Sequence, residues 1–553
     1  MRFETGPWSS VFGEINKAIA IGAVAAVILG IGVAASQAGD FSAQPKNQAS
    51  AFSGQVLLRV GQLEESAALN AIPTPPIFQN PFMAPNDFSE IHFNSFQTDT
   101  TSVSGPASAS SQAVQQGLLR PIPGIGASIA FNSSGQLLTV RVGPSHTVAR
   151  ENFITLLLID PVTLKVLDHV DLPPKSRSGG PVSFSGGGYF YEDNQDRAVT
   201  ITANNQIRIY GVQNNHFVSP ITYDVSTQIS GTLVSVVPDS AGNLWFNSDQ
   251  ASVGYINPTN GTINVVNLRK LPGAKQNETI NKSFASDAHG GVYILSDYAL
   301  YRFEIGPGGT PQNTWRSAYN RGTREKPGQN QQGSGTTPTL FNDFAGGQYV
   351  AIADNADPFM HVNVYNRQTG ALVTQHRVFR AFPFRNACEN SLMAVDHSII
   401  IENNYGNRSI ASTLGARTTV PGIERVDFDP RTGQSQVVWE NDTVAIPSVV
   451  TQLSTSDGLI YTYAKDAKGW YFAALDFRDG SLVAQSRVPL SNILGGVLAN
   501  NFYSGISIGP DGSAYVGVFG GFLAWRPEQS DSSLGAPMIL PKIFANISNA
   551  PHS

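Results

Sequence analysis

A short motif recurs through most of this chain: an apolar strand closing on Asp or Asn, a turn rich in Thr, Asn, Asp and Gly, then another apolar strand. It reads Ile159-Asp160-Pro161-Val162-Thr163, Ile256-Asn257-Pro258-Thr259-Asn260-Gly261, Tyr365-Asn366-Arg367-Gln368-Thr369-Gly370, Phe428-Asp429-Pro430-Arg431-Thr432-Gly433 and Leu475-Asp476-Phe477-Arg478-Asp479-Gly480. Weaker copies fall near Gly211, Ile305 and Arg526, so the turns recur roughly every 45 to 63 residues and number about eight. Self-similarity at that period marks four-stranded sheets repeated around an axis, a β-propeller. The expectation is an all-β chain with a single propeller of eight four-stranded blades. Seven is the alternative count, because the intervals around Asn366 and Asp429 are long enough for loop insertions or a miscounted blade.

Within the blades, strands meet at polar turns, as in Val236-Val237-Pro238-Asp239-Ser240-Ala241-Gly242-Asn243-Leu244-Trp245-Phe246-Asn247. Gly at such turns accepts positive φ without steric cost. The 53 Gly and 34 Pro, with only 14% charged residues, agree with a turn-rich β protein rather than a helical one. A net charge of −6 and the lack of any long Lys/Arg run exclude a nucleic-acid surface. The single cysteine, Cys388, excludes an intrachain disulfide and a cysteine-rich zinc site.

Three regions follow. Residues 1–38 carry an uncharged apolar run, Ala18 to Ala35, between Lys17 and Ser36-Gln37-Ala38, a small-x-small sequence suited to a signal peptidase. They are read as a signal peptide or a membrane anchor through 18–35, placing the protein outside the cytoplasm, in the periplasm, secreted or membrane-anchored. Residues 39–120 are rich in Ser, Ala, Gln, Pro and Asn and read as a low-complexity tether, with a strand expected at Gln55 to Val60. Residues 121–545 hold the propeller, its last blade completed either by Ala536 to Phe544 or by an N-terminal strand.

The Asp-x-x-Thr-Gly turns, and Ala474-Leu475-Asp476-Phe477-Arg478-Asp479-Gly480 above all, resemble repeats of the quinoprotein-like propellers. Asp239-Ser240-Ala241-Gly242-Asn243-Leu244-Trp245-Phe246 resembles blades of NHL-type and virginiamycin-lyase-like propellers. The resemblance covers about 125–530 and speaks to fold, since one propeller scaffold hosts unrelated functions. It implies a quinoprotein dehydrogenase as one function. Against that, the tryptophan repeated after the turn glycine is largely missing, with Trp439 only approximately placed, and Cys388 cannot supply a cysteine pair.

Residues just after each second strand are expected to converge on one rim of the channel. Glu192, Asp249, Asp297, Asp354, Glu402 and Asp466 are assigned there as a ring of negative potential. Asp354, Asn355, Glu389, Asn390, Glu402 and Asn403 supply carboxylate and amide oxygens, hard donors of the kind Ca²⁺ takes. Turn chemistry competes with that reading, because Asp and Asn also cap nearby backbone groups. His361, following Asp354-Asn355-Ala356-Asp357-Pro358, is the histidine placed to act as a general acid or base. Gly333-Ser334-Gly335-Thr336-Thr337 lacks a following Gly-Lys-Ser/Thr and reads as a loop leading into a blade. The expected function is an exported propeller that binds a small molecule, glycan or protein through one face. The alternative is a Ca²⁺-dependent hydrolase or lyase working at the channel mouth.

Overall fold

A hairpin of alternating apolar strands has two faces to bury, and a ring of sheets buries both against neighbours. The computed structural model describes residues 71–108, 114–118, 125–144, 151–176, 185–488, 491 and 496–527. The apolar run 18–35, the strand expected at 55–60 and the C-terminal strand expected at 536–544 lie outside them.

Eight antiparallel four-stranded sheets form the ring. Blade 1 runs from Ile125 to Asp171, blade 2 from Phe190 to Asp224, blade 3 from Leu233 to Asn267 and blade 4 from Ala285 to Ala318. Blade 5 runs from Thr339 to Arg377, blade 6 from Met393 to Asn441 and blade 7 from Gln452 to Arg487. Blade 8 supplies three strands between Ile506 and Trp525, and its outer strand is Val114–Leu118, antiparallel to Gly521–Trp525. The ring is therefore closed by the N-terminal side of the chain. The long intervals that left seven blades open are loops: 378–392 joins blades 5 and 6, and 403–422 joins the second and third strands of blade 6.

The recurrent motif joins the third and fourth strands. The acid or amide ending the third strand accepts the backbone N–H four residues on, from Leu164 to Asp160, Gly261 to Asn257, Gly370 to Asn366, Gly433 to Asp429 and Gly480 to Asp476, at 2.8 to 2.9 Å. That closure puts the donor in the left-handed region, with φ near +70° at the four glycines and +55° at Leu164. The turns also lock blades together. Trp315, on the outer strand of blade 4, donates its indole N–H to Arg367 O of blade 5 at 3.1 Å, beneath Gly370. Trp439, on the outer strand of blade 6, donates to Phe477 O of blade 7 at 2.8 Å, beneath Gly480.

A second device repeats at the first hairpin of several blades. A turn Asp accepts from an aromatic on the second strand: Asp239 from Trp245, Asp287 from Tyr293, Asp343 from Tyr349, Asp457 from Tyr461 and Asp511 from Tyr515, all at 2.7 to 2.9 Å. Asp239, Asp287, Asp343 and Asp457 can be buried because their polar atoms are spent on the turn and the ring below it. Most of the turn acids are thus architectural.

The stretch 71–108 falls within the segment expected to be a tether, yet it packs against the ring. It bonds to blade 7 at Thr455 O from Ile72 N and to blade 3 at Pro238 O from the Asn80 amide. It then meets blade 2 at Glu192 O from Ala84 N and blade 1 at Phe88 O from Phe131 N. From there it doubles back past blades 4, 5, 6 and 7, whose first strands donate from Ser286, Leu340, Ala394 and Leu453 to Ser95 O, Phe96 O, Thr98 O and Asp99 O. Thr100–Thr101 ends it as an added strand, parallel to Gln452–Ser454. All residues from Ser89 to Thr101 are buried. Composition points to a tether because Pro and Ser flank this stretch; Phe88, Phe93 and Phe96 are what anchor it.

Candidate functional site

The stretch 71–108 forms a strap that crosses the ring where the first strands end. On the opposite side, where they begin, the channel opens as a cavity of ≈ 480 Å³. Its floor holds Ile91 and His92 from the strap, and its wall comes from loops leading into the first strands, including Thr279 to Lys282, Gln329 to Gln331 and Glu389 to Ser391. The loop reading of Gly333 to Thr337 holds, since these residues lead into Thr339–Asn342 of blade 5. Thr337 lines the cavity.

The floor histidine is held by two partners. His92 Nδ1 lies 2.8 Å from Asp99 Oδ1 and 2.8 Å from Ser391 Oγ, while Ser391 donates a short hydrogen bond to Asp99 Oδ2. With the serine proton on Asp99, the ring donates from Nδ1 to the carboxylate, which leaves Nε2 as an acceptor in the neutral ring. His92 Nε2 has no hydrogen-bond partner and is sheltered from bulk water. Burial opposes a charge on this ring, but the Asp99 carboxylate, its hydrogen bond and Glu90 together raise the proton affinity above the ordinary histidine value. Glu90 is itself pushed up to about 8 by burial, against the opposing pull of His92 and Gln97.

The strap presents these groups through backbone turns that L-residues seldom adopt. Phe93 has φ +73°, Gln97 +59° and Asp99 +51°. Such conformations persist only when surroundings over-determine them. Here Phe93 N donates to Glu90 O at 3.1 Å, Gln97 N to Asn94 O at 2.9 Å, and both Phe93 and Phe96 are 1% exposed.

Beside the histidine, Lys282 of the loop before blade 4 makes a short ion pair with Glu389 of the loop before blade 6, and both are buried. Asn330 N also donates to Glu389 Oε1 at 3.2 Å, leaving Glu389 Oε2 unpartnered. Asn281 Oδ1 is a third sheltered, unpartnered polar atom in this wall. Next in line, Asn390 donates to Glu402 through a short bond and to Val449 O at 2.7 Å, and Thr451 caps the other Glu402 oxygen. Burial holds the Glu402 carboxyl at about 7 in spite of those donors.

The expected rim ring is corrected in one member and in its character. Asp249, Asp297, Asp354, Glu402 and Asp466 follow or end second strands, as expected, but Glu192 ends the first strand of blade 2 and sits under the strap on the other side. That strand has only three residues, too few to leave a pattern in the sequence. The five that share a side are engaged locally: Asp297 with Arg321 at 3.0 Å, Asp466 with Arg487 at 2.6 Å, and Asp249 with Thr232 N at 2.8 Å.

The six residues expected to share calcium divide into separate groups. Glu389, Asn390 and Glu402 meet at the cavity wall, where Lys282 already occupies Glu389 and Asn390 offers its N–H rather than its oxygen to Glu402. Asp354 accepts from Ala356 N and His361 N, Asn355 donates to Arg321 O and Arg324 O, and Asn403 accepts from Ala387 N and Tyr405 N. This donor set does not fit a shared calcium ion, and among the described residues no group of three or more His, Cys, Asp or Glu side chains is spaced for a metal. His361 pairs through Nδ1 with Asp354 Oδ2 at 2.8 Å and ties its own turn. It does not line the channel cavity. The cavity histidine is His92, which sequence reasoning misses because it lies in the segment read as a tether; the aromatic spacing of Phe88, Phe93 and Phe96 is the available signal.

No family model matches the chain. An uncharacterized protein of Archaeoglobus fulgidus is 25% identical over 346 residues, which cover 57% of this chain and 66% of that relative's length. Among solved structures, the quinohemoprotein alcohol dehydrogenase from Comamonas testosteroni aligns over 86% of each chain, with a TM-score of 0.53 and 11% identity. The quinohemoprotein alcohol dehydrogenase ADHIIG from Pseudomonas putida HK5 aligns over 78% of this chain and 75% of its own, with a TM-score of 0.50 and 10% identity. At such identity the likeness is one of fold. The chain is an eight-bladed β-propeller whose channel is floored by its own N-terminal strap.

Proposed function

We propose that this propeller is a binding protein that takes a small polar molecule in the cavity at the mouth of its channel. One observation carries the reading: His92, Asn281 and Glu389 line one cavity, and each has a sheltered polar atom without a partner. Leaving such atoms unpaired costs about 1–3 kcal/mol each, so a ligand that reaches them by a small adjustment of the wall recovers that cost on binding. The strap supports the same reading, because it seals one end of the channel and gives the cavity a floor. Extracytoplasmic placement belongs to the proposal on the strength of the Ala18 to Ala35 run.

A thermal-shift screen of the full chain against chemically diverse small molecules tests it. A binder held at about a hundred times its Kd stabilises the fold by about 2.7 kcal/mol, and the shift should shrink in Asn281→Ala. No shift from any chemical class, or shifts that ignore that substitution, would overturn the reading.

A further inference from the structure

We infer that the ligand is a neutral polyhydroxylated molecule, a saccharide or cyclic polyol. This rests on the reading of the cavity as a small-molecule site and adds the class of molecule. Three features of the wall select it.

The first is the type of group left unpaired. Asn281 Oδ1 and Glu389 Oε2 are acceptors, and His92 Nε2 is an acceptor in the neutral ring, where Nδ1 donates to Asp99. A ligand that reaches these groups must therefore bring donors. A hydroxyl does so and has a further advantage at His92, since it donates to the neutral ring and accepts from the protonated one. An ammonium satisfies only the neutral ring, and a carboxylate only the protonated one.

The second is charge. Asp249, Glu325 and Glu389 stand in the wall with Lys282 and Arg408, so the fixed charges nearly cancel. The most enclosed pair, Lys282 with Glu389, is already neutralised internally. A charged guest would be desolvated here without an excess of counter-charge to meet it.

The third is the apolar part of the wall. Tyr189, Phe502 and Tyr503 line the cavity, with the Phe502 and Tyr503 rings edge-to-face at 4.8 Å between centroids. The Tyr503 hydroxyl is spent on Gly328 O at 2.9 Å, which fixes that side chain in place. Rigid aromatic surface beside amides and acceptors suits a ring with C–H faces and hydroxyl edges.

The test is calorimetry on the full chain with three panels: neutral mono- and disaccharides with inositols, amines such as spermidine and choline, and di- and tricarboxylates. The expected result is binding within the neutral panel alone, weakened at least ten-fold in Asn281→Ala. Saturation-transfer NMR with the wild-type protein provides a second readout that needs no variant. Binding confined to the amine or carboxylate panel and weakened by Asn281→Ala would overturn the polyol class and leave the cavity reading standing. No binding from any panel, or binding indifferent to Asn281→Ala, would overturn both.

Discussion

His92 Nδ1 and Asp99 Oδ1 stand 2.8 Å apart within a single strap, and Ser391, from the loop before blade 6, bonds to both. The trio is thus assembled from two distant stretches of chain, and Ser391 joins the pair only when the strap is seated. Asp99→Asn should reverse the ring's proton arrangement, since the new amide donates toward Nδ1 and Nε2 must then carry the hydrogen. A loss of about 1–3 kcal/mol in denaturant melts is expected, together with a changed tautomer in ¹⁵N spectra of the His92 ring. An unchanged ring spectrum would show that Asp99 does not orient it.

The Lys282 and Glu389 pair should behave asymmetrically. Glu389→Leu alone strands a buried ammonium and should cost about 3–5 kcal/mol, whereas Lys282→Met with Glu389→Leu should recover most of that loss. Equilibrium unfolding of the two variants gives the comparison. Equal destabilisation by the single and double changes would mean that the residues do not interact.

The turn glycines should rank by what surrounds them. Gly261 has φ +72° and only open space where a Cβ would stand, so Gly261→Ala meets only backbone strain, of about 1 kcal/mol. Gly433 has φ +70° and a Cβ there would come within 2.9 Å of Val373 O. Gly480 has the same φ and lies directly over the Trp439 ring, so Gly480→Ala should cost the most and disturb the seam between blades 6 and 7. Melting temperatures of the three variants test the order.

Stability should fall toward alkaline pH. Burial, with the neighbouring Glu440 carboxylate, holds the Glu424 carboxyl at about 8, and Glu402 sits at about 7. The folded state therefore keeps protons that the unfolded chain releases from about pH 4.5 upward. Their contribution is full on the acid side and is lost as pH rises through about 8, with a slope of up to about 1.4 kcal/mol per pH unit for each group. Glu424→Gln should flatten that slope without removing the acceptor for Phe379 N, which the Glu424 carboxylate now bonds at 2.8 Å. Melting curves from pH 5 to pH 9 on both proteins provide the check, and a wild-type midpoint that rises over this range would contradict it.

The turns at Asp160, Asn257, Asn366, Asp429 and Asp476 are legible in the sequence because each needs a particular residue at a particular place, and the period between them defines a ring. What stays hidden follows from the same logic. The strap has no period, since it is a single segment laid across the ring rather than a repeated unit, and its side chains suit individual sockets. His361 looks catalytic because it follows a run of acids, yet Asp354 uses it to finish a turn. Polar residues after strands are informative about architecture far more often than about chemistry, and the channel is reached by loops whose composition resembles that of every other loop.

Val114–Leu118 pairs with Gly521–Trp525, and the Thr100–Thr101 strand pairs with blade 7. These contacts span roughly 350 to 410 residues of chain, so their loop-closure entropy must be met before they return any stability. As the chain leaves the ribosome, its early segment waits: Phe96 finds its socket only with blades 4 and 5, His92 its Ser391 partner only with the loop before blade 6, and Val114–Leu118 its neighbour only with blade 8. Closure of the ring and completion of the channel cavity, whose wall includes Phe502 and Tyr503, therefore come last in synthesis.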